Sequence, residues 1–407
     1  MTKLIIYSFL ILFCIFNKAV AEPYAQLMAY YPNGENIMDR HPQMILDDDF
    51  NVHIAFIRDR KDAPVQELAV ASFSIDDFMS PEDPIAIDQL SYIEKKTQSV
   101  IGGSYRRVRK EKFIVAYHRW DHSSIGRIFY ARNGKIKMAK TFSNSFTANA
   151  FFPPPSLVDS AQSNISLDVS TNGDVIFCSS LTGKGDLYSG KADNILSNKQ
   201  SYSATKNRSD LSQFFTRLTS DPSLESQPSW SQSGDKLAYI ALEGNGVVLR
   251  LADFQNGRLQ NDNILVKTEG SVANPVWSSD GKYISYYNIY NSTNDAGKVE
   301  KNTDLFIINV SNSEITKISK NVGRNEFYGS SFLSGTHQII YSGLENGQIK
   351  IYNADSKQTH IMSIKNENGN KLRLIRDMTT LAGEMIFGLS AYNDENMFRI
   401  YIYQIVQ

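Results

Sequence analysis

The 407-residue chain has little cysteine and no excess of either charge. Two cysteines, Cys14 and Cys178, exclude a disulfide-built scaffold and any zinc site made of cysteines. The 42 Lys+Arg balance 43 Asp+Glu at a net charge of −1. That balance excludes a general nucleic-acid binder, whose phosphate contacts need a basic excess. Beyond the first residues no long apolar run occurs, so no membrane-crossing segment is expected in the mature chain. The sequence also lacks a His-Glu-x-x-His helix, a Gly-x-Ser-x-Gly elbow, a P-loop and a Cys-x-x-Cys pair.

What is present is apolar and aromatic. Hydrophobic residues make up 42%, with 21 Tyr and 22 Phe, enough for a sizeable core and a bias toward strands. Residues 1–21 read as a signal peptide. Lys3 supplies the positive start, Leu4 to Phe16 the apolar run, and Ala19-Val20-Ala21 a small-x-small cleavage site. After cleavage only Cys178 remains, in an apolar strand, where it reads as a small buried hydrophobe.

Internal periodicity organises the rest. The segment Gln227-Pro228-Ser229-Trp230-Ser231-Gln232-Ser233-Gly234-Asp235-Lys236-Leu237-Ala238-Tyr239 matches Asn274 to Tyr286 at an offset of 47 residues. Each reads as a strand ending in Trp, a Gly-containing turn and a second strand. The second strand carries a triplet of an apolar, an apolar or small, and an aromatic residue. Its aromatic members are Phe56, Tyr117, Phe177, Tyr239, Tyr286, Tyr341 and Phe387, spaced 46 to 62 residues apart. A third strand-like stretch follows each triplet: Glu67–Ser74, Arg127–Asn133, Asp186–Lys191, Val247–Phe254, Asp304–Val310, Gln348–Asp355 and Phe398–Ile405. A fourth is visible at Ile315–Ile318.

Such a repeat predicts an all-β chain: a seven-bladed β-propeller of four-stranded antiparallel blades, with six blades as the alternative count. Residues 22–407 then form one propeller domain. The last repeat has no room for a fourth strand, so the N-terminal strand Ala25–Tyr31 is expected to supply it and close the ring. The blade pattern runs to the end of the chain and leaves no place for a hydrolase domain behind it. Ile85–Lys96 is expected as a short surface helix. Phe152-Pro153-Pro154-Pro155 is expected as an extended bridge between blades, and Asn194–Leu211 as a loop or short helix.

Arg217-Leu218-Thr219-Ser220-Asp221-Pro222, followed by Gln227-Pro228-Ser229-Trp230-Ser231, resembles the TolB-type propeller repeat. Asn274 to Tyr286 matches that repeat again, including Asp280-Gly281, and Asp186-Leu187-Tyr188 and Asp304-Leu305-Phe306 match its following strand. The resemblance is clear over about residues 165 to 345. It implies a periplasmic, non-catalytic protein without a cofactor that binds other envelope proteins. Two features depart from the family. A blade-like triplet already at Ile54 leaves no space for the extra α/β domain of TolB, and Gln232 and Ser279 stand where the repeat has proline.

The candidate binding residues follow from the repeat frame. His41 precedes Pro42 as Gln227 precedes Pro228 and Asn274 precedes Pro275. Innermost-strand starts commonly face the central channel, so His41, Gln227 and Asn274 could form a mouth for a peptide or saccharide. Equally, these side chains could hydrogen-bond the neighbouring blade. No catalytic or metal residue is assigned. His118 and His122 flank Asp121, and four-residue spacing in a loop has no fixed meaning for a metal. Asp47-Asp48-Asp49 lacks the alternation and glycine of a calcium loop. Arg106 to Lys112 is a basic run, read as a solvent-facing hairpin. Trp230 and Trp277 belong to the repeat and are expected in the core. A polysaccharide-lyase-like enzyme is the alternative, and it would need His41, His118 or His337 to converge on the channel mouth. A secreted eukaryotic protein is a third reading, on the sequons at Asn164, Asn207, Asn291 and Asn309.

Overall fold

The structure is a computed structural model. It describes residues 23–32, 37–46, 51–60, 66–75, 84–86, 90–97, 100–108, 112–119, 125–132, 135–137, 141–143, 167–179, 186–191, 216–220, 223–244, 246–320, 329–342, 347–381, 385–395 and 397–406. The expected signal peptide, Asp47–Asp49, His122, the proline bridge and Asn194–Leu211 lie outside these residues.

The described strands form seven hydrogen-bonded sheets. The first orders Ile37–Leu46, Asn51–Arg60, Gln66–Ser74 and Leu90–Thr97 from inside outward. The second orders Val100–Val108, Lys112–Arg119, Ile125–Arg132 and Lys135–Lys137, with Thr141–Ser143 also paired to Ile125–Arg132. The third has Leu167–Val169, Asp174–Ser179, Asp186–Lys191 and Thr216–Arg217. The fourth has Leu224–Trp230, Lys236–Glu243, Gly246–Gln255 and Arg258–Lys267. The fifth has Ser271–Trp277, Tyr283–Thr293, Val299–Asn309 and Ile315–Ser319. The sixth has Ser330–Phe332, Gln338–Ser342, Gln348–Asn353 and Gln358–Ser363. These six share a four-strand antiparallel path. The last sheet contributes Arg373–Thr380, Ile386–Tyr392 and Phe398–Val406 from the C-terminal end.

That last sheet is completed by the N-terminal strand Tyr24–Tyr30, antiparallel to Phe398–Val406, with Tyr24 opposite Val406. The Tyr31 N–H continues the join by donating to the Ile400 carbonyl at 3.0 Å. Each innermost strand packs against the next sheet, and Ile37–Leu46 packs against three strands of the last one. The fold is therefore an all-β propeller.

One sequence expectation fails. Ile85–Lys96 is not a helix: Ile85–Ala86 pairs parallel with Ala29–Tyr30, and Leu90–Thr97 is the fourth strand of the first sheet. The open edge of Gln66–Ser74 offers backbone donors and acceptors that a strand satisfies and a helix does not.

The core lies in the seams between sheets. On Lys236–Glu243, Leu237, Tyr239 and Ala241 pack toward the third sheet, while Ala238 and Ile240 pack toward the fifth. A strand's period of two puts alternate side chains on opposite faces, and both faces are covered here. Hence the triplets are apolar or small throughout rather than alternating with exposed polar residues. Each fully buried aromatic of this kind contributes roughly 1.5–3 kcal/mol of transfer free energy. Trp230 and Trp277 are buried, as expected. Cys178 is buried too, and burial pushes its thiol well above the usual range.

Candidate functional site

The three candidate residues share one backbone device. In the fourth sheet Ser226 pairs with Ile240 and Ser229 with Ala238, so Gln227 and Pro228 together oppose Tyr239. In the fifth, Asn274 and Pro275 oppose Tyr286 in the same way. In the first, His41 and Pro42 oppose Phe56. Two residues against one is a β-bulge, and it frees proline from a ladder bond it could not make. The backbone at Gln227 and Asn274 is left-handed, with φ of 49° and 53°. Single-residue register shifts at Ile101/Gly103 and Arg376/Met378 place related bulges in the second and last sheets. Asp377 sits in the latter with φ 41°.

The bulge turns Gln227 toward its neighbour. Its side-chain carbonyl oxygen, Oε1, accepts the Asn274 backbone N–H at 2.6 Å. Gln227 and Asn274 are thus brought together across the seam between the fourth and fifth sheets. Gln227 is buried and Asn274 half-buried. Further along the same seam, the Trp277 indole Nε1–H donates to the Ser229 carbonyl at 2.9 Å. His41 occupies the matching backbone position in the first sheet.

Other polar groups join sheets in ways the repeat frame did not mark. Asp168 of the third sheet accepts its own strand's Val169 N–H through Oδ1 and the Trp230 N–H of the fourth sheet through Oδ2, each at 2.8 Å. Buried Glu225 accepts the hydroxyls of Ser223 at 2.6 Å and Thr219 at 2.9 Å. Thr379 Oγ1 accepts the Met44 N–H at 3.2 Å, tying the last sheet to the first. Thr380 Oγ1 donates to the Phe332 carbonyl at 2.7 Å, tying it to the sixth. Asp39 and Arg58 form a buried two-point ion pair at 2.9 and 3.0 Å, and the guanidinium lies 4.7 Å from the Tyr31 ring centre. Burial opposes the Arg58 charge, but Asp39 outweighs it and holds the group firmly protonated.

Two of the described histidines stand on different sheets, His118 on the second and His337 on the sixth. His118 lies on Lys112–Arg119, its backbone paired with Ile101 and Gly126. His337 sits past the end of its innermost strand, between two aspartates. Its Nε2 is 2.7 Å from Asp280 Oδ2, and its Nδ1 is 2.8 Å from Asp355 Oδ1. Among the described residues no group of three or more His, Cys, Asp or Glu is arranged to hold a metal ion.

No family model matches the sequence, and no curated protein matches it. Solved structures do. A prolyl endopeptidase is 10% identical with a TM-score of 0.54, over 92% of this chain and 47% of that one. The β-propeller domain of the Trilobed protease from Pyrococcus furiosus is 10% identical with a TM-score of 0.50, over 91% of this chain and 95% of that one. TolB from Acinetobacter baumannii is 15% identical with a TM-score of 0.47, over 80% of this chain and 65% of that one. This chain therefore spans about half of the endopeptidase and just under two thirds of TolB. At such identities the likeness establishes the β-propeller fold alone.

Proposed function

We propose that this chain is a TolB-like propeller of seven blades, one per sheet, acting in the periplasm as a non-catalytic scaffold that binds a protein partner of the cell envelope. The observation that carries this reading is a division of labour within the ring. One of the three residues expected at a channel mouth, Gln227, is spent on the neighbouring sheet's backbone. An exposed polar surface is offered instead by a loop on a rigid base. Tyr283–Thr293 and Val299–Asn309 pair along their whole length, while the outer strand covers only Leu305–Ile308. The hairpin tip thus runs past its sheet, and Asn291, Ser292, Thr293, Lys298 and Val299 are exposed, Val299 at 63%. Variable loops held by a stiff ring are how such folds present recognition surfaces.

The test is capture from a periplasmic extract with cross-linking, using the mature chain and a variant whose tip residues 291–299 are replaced by a tight two-residue turn. An envelope protein captured by the first and lost with the second supports the proposal. A saccharide bound at the ring centre with no envelope partner captured overturns it.

A further inference from the structure

We infer that His337 is a proton-operated clamp across the seam between the fifth and sixth sheets. A neutral imidazole carries one N–H and one lone pair, so it can donate to one acceptor only. Here both ring nitrogens lie at hydrogen-bond distance from carboxylates, Nε2 from Asp280 and Nδ1 from both oxygens of Asp355. Only the doubly protonated imidazolium satisfies both contacts. Loss of a proton turns one of them into lone pair against anion.

The two arms differ in how firmly they are held. Asp280 stands on the turn that leaves the innermost strand of the fifth sheet. Its Oδ1 accepts the Ser278 hydroxyl at 2.8 Å and the Lys282 N–H at 3.1 Å. Asp355 stands on the outer turn of the sixth sheet and is 64% exposed. Deprotonation should therefore leave the Asp280 contact made and release Asp355 to water.

Among the described residues the groups facing the imidazole are these two aspartates, Lys282, whose Nζ is 3.3 Å from Asp280 Oδ2, and the Tyr283 ring, tilted against it with ring centres 5.1 Å apart. The hydrogen bond to Asp280 raises the His337 pKa above its ordinary value against a smaller opposing effect of burial, and the Asp355 bond and both carboxylate charges add to the rise. Burial likewise opposes the Asp280 charge, and His337 with the Lys282 and Ser278 donors outweighs it, so the carboxylate stays ionised deep into acid. The clamp's contribution is thus complete below the unfolded histidine value of about 6.5 and is lost as pH rises through the higher folded value. Two contacts across the same seam do not depend on this proton. The Gly335 N–H donates to Ser279 Oγ at 2.9 Å, and Lys357 pairs with Glu314 at 3.0 Å. The clamp loosens one edge of the seam without parting the ring.

The test is a proton NMR titration of the His337 ring in the folded full chain, with melting temperatures of wild type, His337→Gln and Asp355→Asn from pH 5 to 9. The expected result is a His337 midpoint above 6.5 in wild type, lowered by Asp355→Asn. Wild type should also lose about 1–2 °C across that midpoint, and His337→Gln should lose none of it. A His337 midpoint at or below 6.5 overturns the proposal, even if His337→Gln fails to fold.

Discussion

Two neighbouring seams of one ring are built by opposite chemistry. Between the fourth and fifth sheets the joining groups are neutral and enclosed: the Gln227 amide on the Asn274 N–H, and the Trp277 indole on the Ser229 carbonyl. Between the fifth and sixth sheets the joining groups include charged ones open to water: His337 with Asp280 and Asp355, and Lys357 with Glu314. A neutral bond away from water keeps its value across pH and salt. An exposed ion pair is screened by salt and titrates. The first seam thus behaves as a fixed joint, and the second as one that solution conditions can tune.

The largest change that would break this comparison is removal of residues 22–32. Without Tyr24–Tyr30 the Phe398–Val406 edge loses its partner strand, and the ring loses the strand that closes it. The expected outcome is collapse of the cooperative thermal transition by differential scanning calorimetry; an unchanged Tm would show that closure does not support either seam. Trp277→Ala comes next. It empties a buried indole site and removes the bond to Ser229, costing about 3–5 kcal/mol by urea unfolding. Gln227→Ala isolates the polar part of that seam, leaving the Asn274 N–H without its acceptor at a cost of about 1–3 kcal/mol. The loss should be the same at pH 5 and pH 9, and a strong pH dependence would erase the distinction between the seams. Smallest is Asp355→Asn, expected to change stability by less than about 1 kcal/mol, and only where His337 is charged, as read from unfolding curves in low and high salt.

How far the sequence exposes this molecule depends on the range of each interaction. The second and third strands are legible because strand period and burial on both faces force apolar triplets. Asp186–Lys191 is observed with the bounds its pattern predicts. Where a segment falls outside the repeat, as at Ile85–Lys96, local sequence misleads. The deciding partners, Ala29–Tyr30 and Gln66–Ser74, belong to other strands. The repeat frame aligned His41, Gln227 and Asn274, and the common bulge is the physical reason they align. What Gln227 holds could not be read from the frame, since its partner lies 47 residues away on another sheet. The same holds for His337 and Asp280, 57 residues apart. A side chain that serves a seam carries no local signature, because neither partner shapes the other's strand.

The pairing of Tyr24 with Val406 has a mechanical consequence. The two strands run antiparallel and their free ends emerge side by side. A pull applied between those ends loads one backbone bond at a time, like a zipper opened from its tab, rather than sharing the force along the strand. A pull between those ends should therefore open this join at a low rupture force.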